Sequence, residues 1–419
     1  MCNAENAAAS PRRQGFRALF SQNMARTGFA SAVLNGLKKC PIDEVILNMH
    51  TNDSEMAVAF RQDFPAYDVP AGDLSSFRKA FSPLSKEARE GAKPRCCPIC
   101  GEVMPRFCIS HTVPRYCLKE IAAEGKLLTS AAVIGGNLID SEVGIGNAAT
   151  FKQICRKCDT EYFKLYETPE TLLMRPNSQV MGQIAAKNLL REMSKARFGV
   201  ELNAVLGDAT SPMLDAMAAA RMIDVAEDEK AFETALRVGG TPRASKAFQL
   251  VHHEVLSYTA PFAFQQMINP IADFKGGAIN YSFNQNPNYR IEPLHVCVLP
   301  TKGHTVVMLF RGEGAKRYRG FERQFRALDE ADKLQAVVKL VFAYSEDVLI
   351  SPRIGDAILR DENLVRLAQM NSIYQGFGDS LDAYKCVAAR TACQEYAIDN
   401  LPNPPELLSK EYALGAIDS

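Results

Sequence analysis

The 419-residue chain has no tryptophan, only six histidines and no net charge, with 48 Lys and Arg against 48 Asp and Glu. So few histidines mean that any imidazole chemistry rests on a handful of positions. Neutrality excludes a protein that grips polyanions over its whole surface, so a nucleic-acid surface would have to be a local patch. No run of about 18 uncharged apolar residues occurs, which argues against a helical membrane span. The opening residues, MCNAENAAASPRRQGF, lack an apolar signal core, and a cytoplasmic location is the expectation. There is no solenoid-period repeat and no low-complexity tract. What remains is globular material, 47% hydrophobic and 23% charged, in a chain long enough for two or three domains.

The pattern along the chain is α+β and divides into three stretches. Residues 1–90 read as mixed α/β: FRALFSQNMARTGFASAVLNGLKK and SEMAVAFRQDF have helical spacing, and DEVILNMH reads as a strand. Residues 91–170 carry most of the chemistry. Residues 171–419 begin with two helical stretches, SQVMGQIAAKNLLREMSKARFGVELNAVL and PMLDAMAAARMIDVAEDEKAFETALRV. Strand-like AINYSFNQ, LHVCVLP and HTVVMLFRG follow, with PTKG as a turn. Helix returns near FERQFRALDEADKLQAVVKLVFAY.

Within the middle stretch, two Cys-x-x-Cys pairs stand out, Cys97 with Cys100 and Cys155 with Cys158. Thiolates bind zinc tetrahedrally, and two such pairs supply four ligands from two tight turns. Pro98 and Gly101 suit a knuckle, and the residues after Cys158, DTEYFKLYE, read as a helix. Knuckle, hairpin and helix start together describe a treble-clef unit with a structural Zn2+. Cys96 could substitute for Cys97. Cys108 and Cys117 read as core.

Between the pairs lies SHTVP. The order Cys-x-x-Cys, Ser-His-x-x-Pro, Cys-x-x-Cys-acid resembles the HNH endonuclease superfamily, ββα-metal nucleases often built on a zinc treble clef. The resemblance covers about 70 residues and extends to uncharacterised bacterial proteins with a SHxxP-type motif and a long C-terminal region. It implies that His111 is the general base for hydrolysing a phosphodiester, and that Asp159 holds a catalytic Mg2+ or Mn2+. Such roles fit a neutral imidazole and a hard carboxylate ligand. Ser110 stands where many members have an aspartate. Thr150 stands where they have an asparagine, with Asn147 the nearest replacement, and the family's third histidine is absent. The expected function is a metal-dependent endonuclease, with DNA as the first expectation for its partner. The alternative is a catalytically inactive, zinc-stabilised nucleic-acid-binding or protein-adaptor module.

Arg106, Arg115, Lys119, Arg156 and Lys157 cluster in sequence around the two pairs and are candidates for phosphate contact. A second basic run holds Lys316, Arg317, Arg319, Arg323 and Arg326, either another contact or an exposed loop. EVGIGNAAT has glycines at 144 and 146 but lacks the context of a dinucleotide site and reads as a loop or hairpin. His252 and His253 lie in LVHHEVLSY, read as a helix with a packing role. His295 and His304 flank a predicted hairpin without companion ligands.

Overall fold

The computed structural model describes residues 82–83, 85–130, 133, 142–206, 212–281, 289–376 and 393–415. The helices and strand expected before residue 82 lie outside them. Among the described residues the protein mixes helices with antiparallel sheets.

The strands are β1 (Ser110–His111), β2 (Lys126–Thr129), β3 (Glu142–Gly144), β4 (Thr150–Phe151), β5 (Phe248–Leu256), β6 (Phe262–Ile268), β7 (Leu294–Thr301), β8 (His304–Gly312) and β9 (Leu349–Ile350). Residues 82–83 and 85–91 are helical, and the helices that follow them are α1 (Arg115–Ile121), α2 (Arg156–Tyr162), α3 (Pro169–Leu172), α4 (Ser178–Leu206), α5 (Pro212–Gly239), α6 (Arg319–Ala327), α7 (Glu330–Tyr344), α8 (Asp356–Leu359) and α9 (Glu362–Gly376). One antiparallel sheet of seven strands runs β3-β2-β9-β6-β7-β8-β5, and β1 pairs with β4 in a small sheet of its own. Strands from the cysteine-bearing stretch, β2 and β3, therefore share a sheet with strands from far along the chain.

The central strands are apolar on both faces because both faces are covered. Successive strand residues point to opposite sides. In β7, Leu294, Val296 and Val298 join a core with α6, α7 and α9, whereas Cys297 and Leu299 join a core with α1, α2 and α4. In β8, Val307 and Leu309 face the first core, and Val306, Met308 and Phe310 the second. The sheet is thus a middle layer, with the cysteine-bearing unit on one side and the C-terminal helices on the other.

LHVCVLP and HTVVMLFRG form the predicted hairpin. Lys302 and Gly303 both take positive φ, 49° and 72°, the two-residue turn whose twist matches the flanking strands. The long helices α4 and α5 also fall where their periodicity places them. They approach closely: a Cβ on Gly182 would lie 2.5 Å from the Gly239 nitrogen.

LVHHEVL is a correction. His252 and His253 sit in strand β5, paired along β8 with a register shift between Leu250 and His252. Such a short apolar run fits either period, and the free edge of β8 decides it. AINYSFNQ is not a strand over its described part, where Ala278 makes only an isolated bridge to Ala272. The C-terminal helical stretch is split after Ala327 by Asp329, whose side chain caps α7 by accepting from the Asp332 nitrogen at 2.8 Å.

His295, on β7, is buried in a stack against Phe310, with Asn188 of α4 3.1 Å from its Nδ1. Burial pulls its pKa down to about 3. As pH falls below about 6.5, the unfolded imidazole takes up a proton and the folded one does not, so stability is lost as the pH drops towards the folded value. Thermal melts should show the melting temperature falling across that window, less steeply in His295→Gln.

Candidate metal centre and basic face

The first Cys pair is held by a tight knuckle. Cys97 N donates to Glu102 O at 2.9 Å, Gly101 N donates to Cys97 O at 2.8 Å, and Gly101 takes φ 75° to close the turn. Cys96 lies outside the cluster and bridges across the knuckle to Val103. The second pair opens α2. Cys155 is its N-cap, and its sulfur accepts from Cys158 N at 3.4 Å. Cys155 N in turn donates to Cys97 Sγ at 3.5 Å, and the sulfurs of Cys100 and Cys155 are 3.9 Å apart.

All four sulfurs lie within 4.8 Å of one another. A tetrahedron with Zn–S bonds of about 2.3 Å has edges of about 3.8 Å. The cluster could therefore hold a metal ion such as zinc, and its members are Cys97, Cys100, Cys155 and Cys158. Of these only Cys100 is exposed. Burial and then the neighbouring thiols push the Cys158 thiol up, a mutual penalty that a bound cation would relieve. Cys108 and Cys117 stay apart: Cys108 donates its S–H to Ile154 O at 3.3 Å, and Cys117 is buried in α1.

Next to the cysteines, β1 pairs with β4 in the register Ser110 to Phe151 and His111 to Thr150. Alternation sends Ser110 and His111 to opposite sides. Ser110 is buried and donates from Oγ to Asp159 Oδ1 at 2.6 Å. The same Asp159 oxygen accepts from Lys187 Nζ at 2.6 Å, and Lys187 also reaches Ser110 Oγ at 2.8 Å and Glu167 Oε1 at 3.1 Å. The Lys187 side chain is 0% exposed and its ammonium lies 3.9 Å from the Phe163 ring centroid. The carboxylate assigned by resemblance to a divalent ion thus holds a buried ammonium. Burial raises the pKa of Glu167, with Lys187 opposing.

His111 is half-buried and its Nε2 lies 2.9 Å from Ile145 O. A carbonyl can only accept, so Nε2 carries the hydrogen and the neutral ring keeps its lone pair on Nδ1. Burial lowers the pKa of His111; the charges of Arg115 and Lys187 act the same way and Asp159 against them. No hydrogen bond joins His111 to Asp159. Asn147 is exposed in the turn after β3, its carbonyl accepting from Thr150 Oγ1 at 3.0 Å. Arg106, Arg115, Lys119, Arg156 and Lys157 are all exposed, and none has an ion-pair partner among the described residues. Arg115 and Lys119 stand four apart on α1 and so share a face.

Two side chains that organise this site escaped the sequence reading because they sit inside the apolar run of α4. Lys187 occupies a core position of QIAAKNLL, between the buried Ile184 and Leu190. Arg191, one turn on, donates to Thr150 O at 2.6 Å and to Asp347 Oδ1 at 3.1 Å, tying β4 to the segment that leads into β9. The available signal was a pair of cations on the buried stripe of an amphipathic helix, which calls for buried acceptors elsewhere. No family model matches the chain, and neither a curated protein nor a solved structure matches it.

Proposed function

We propose that the chain is a zinc-stabilised nucleic-acid-binding protein on an HNH-like hairpin and helix, in which the ammonium of Lys187 takes the place a nuclease gives to its divalent ion. A zinc held by all four sulfurs, of Cys97, Cys100, Cys155 and Cys158, would be closed to substrate and so structural. The carrying observation is a contrast of charges. The half-buried acids Asp159 and Glu167 are held by Lys187, while five exposed cations around them have no ion-pair partner among the described residues. Such cations suit phosphate contact without base readout.

Fluorescence anisotropy with short DNA and RNA duplexes tests this. Affinity should fall steeply with salt, and Arg115→Gln with Lys119→Gln should make the log–log slope shallower by about 1.8, at about 0.9 per lost phosphate contact. No binding at low salt would sink the reading.

The tautomer of His111 favours a second reading, a metal-dependent HNH endonuclease. The Ile145 carbonyl anchors Nε2 and leaves Nδ1 as a base for water. Mg2+ or Mn2+ at Asp159 would then have to displace Lys187. Incubation with plasmid and either metal separates the two: metal-dependent cleavage lost in His111→Ala establishes the nuclease, and intact plasmid with tight binding leaves the binding protein.

A further inference from the structure

Helix α6 and the 3-10 turn that leads into it, Lys316–Tyr318, present two contrasting faces. Inward, Tyr318, Phe321 and Phe325 pack into the core beneath β7 and β8, with Phe274 stacked on Phe321 at 5.5 Å. Outward, Lys316, Arg319, Arg323 and Arg326 are all exposed. Their spacing of three, four and three residues places them on one stripe. At 1.5 Å per residue, Arg319 and Arg326 are about 10 Å apart along the axis. Arg326 pairs with Glu322, at 3.0 Å, and Glu322 is itself held by Arg311 from β8. Lys316, Arg319 and Arg323 have no ion-pair partner among the described residues. Arg317 is turned inward instead, donating to Asn280 Oδ1 at 3.0 Å and to Arg290 O at 2.6 Å. The nearest exposed acids in sequence, Glu313, Asp329 and Glu330, lie beyond the ends of the stripe.

We propose that this stripe is a second nucleic-acid surface, binding the phosphate backbone of a duplex independently of the cysteine-bearing unit. The sheet decides that it is separate. Residues beneath α6 belong to one face of β7 and β8, and the cysteine-bearing unit packs on the other. The chemistry selects the partner. A duplex offers one negative charge per about 1.7 Å of axis, a density that a row of cations can match. A membrane surface would call for apolar residues beside the cations, and a protein partner for aromatic or aliphatic anchors. The exposed large hydrophobics among the described residues are Val103, Ile109 and Met174, none of them on α6.

The test uses the full chain and a short fluorescent duplex, with Arg319→Gln/Arg323→Gln, Arg115→Gln/Lys119→Gln and the four-site combination. All these positions are exposed, so folding should survive, which circular dichroism checks. Because the surfaces are separate, a stoichiometric titration at low salt should find two short duplexes per wild-type chain and one per chain of either two-site variant, with the four-site combination binding most weakly of all. One duplex per wild-type chain, bound as tightly by the α6 variant and more weakly by the α1 variant, overturns the second surface and leaves the proposed function standing. The reverse supports the second surface and removes α1 from the binding. Binding to vesicles containing anionic lipid without binding to the duplex also overturns the inference.

Discussion

Cys155→Ser is expected to cost the protein its metal and the fold of the unit around it. In the proposed zinc site Cys155 is a ligand, the N-cap of α2 and the acceptor for Cys158 N, while its own backbone N–H donates to Cys97 Sγ. One substitution therefore disturbs both turns at once. Structural zinc contributes roughly 10–16 kcal/mol in small finger peptides, comparable with the 5–15 kcal/mol that typically holds a whole domain. The damage should spread, because Cys97, Cys155 and Cys158 share a core with Phe151, Ile154, Phe163 and the inner face of α4. Cys100→Ser, at the exposed corner, should do less. Elemental analysis should find about one zinc per wild-type chain, and chelation should reproduce the Cys155→Ser melt. A metal-free wild type, or a Cys155→Ser protein that melts as wild type does, removes the structural metal from the account.

Lys187→Met is expected to destabilise the protein by about 3–5 kcal/mol. Methionine fills much of the same volume but leaves the Asp159 and Glu167 carboxylates facing each other without a cation. It also gives up the ammonium over Phe163, a contact that adds stability when desolvated. Lys187→Arg should not rescue, since a fully enclosed site has no room for the larger planar group. Asp159→Asn should cost less, because Glu167 still holds the ammonium at 3.1 Å. Combining Lys187→Met with Asp159→Leu should cost less than the sum, which denaturant melts of all four proteins would measure. The sign of the pH dependence is fixed too. Burial already raises the Glu167 pKa, and losing Lys187 raises it further, so the deficit of Lys187→Met should shrink as pH falls and Glu167 takes up a proton. A deficit that does not change with pH would mean that Lys187 acts through packing alone.

How far each feature was legible follows from the range of the interaction behind it. The Cys-x-x-Cys pairs were readable because three-residue spacing is itself the geometry of a ligand turn. The helices α4 and α5 were readable because period and length are local properties, and the β7–β8 hairpin because Lys302 and Gly303 make the turn between two β-branched runs. The run LVHHEVL was misread because nothing within it decides between helix and strand, and the edge of β8, some 50 residues away, does. Lys187 was missed because a lysine in a helix reads as surface until its acceptors, brought from β1, α2 and the segment before α3, are known.

On its own the sequence determined the α and β composition, the two thiol pairs and the basic residues around them. These depend on spacing within a few residues or on residue type alone. Only the tertiary structure decided that Cys97 and not Cys96 joins the sulfur cluster, that Asp159 faces a buried ammonium, and that the two basic surfaces lie on opposite sides of one sheet. Each is a contact between segments remote in sequence, set by which apolar faces must be covered, and no local pattern records that.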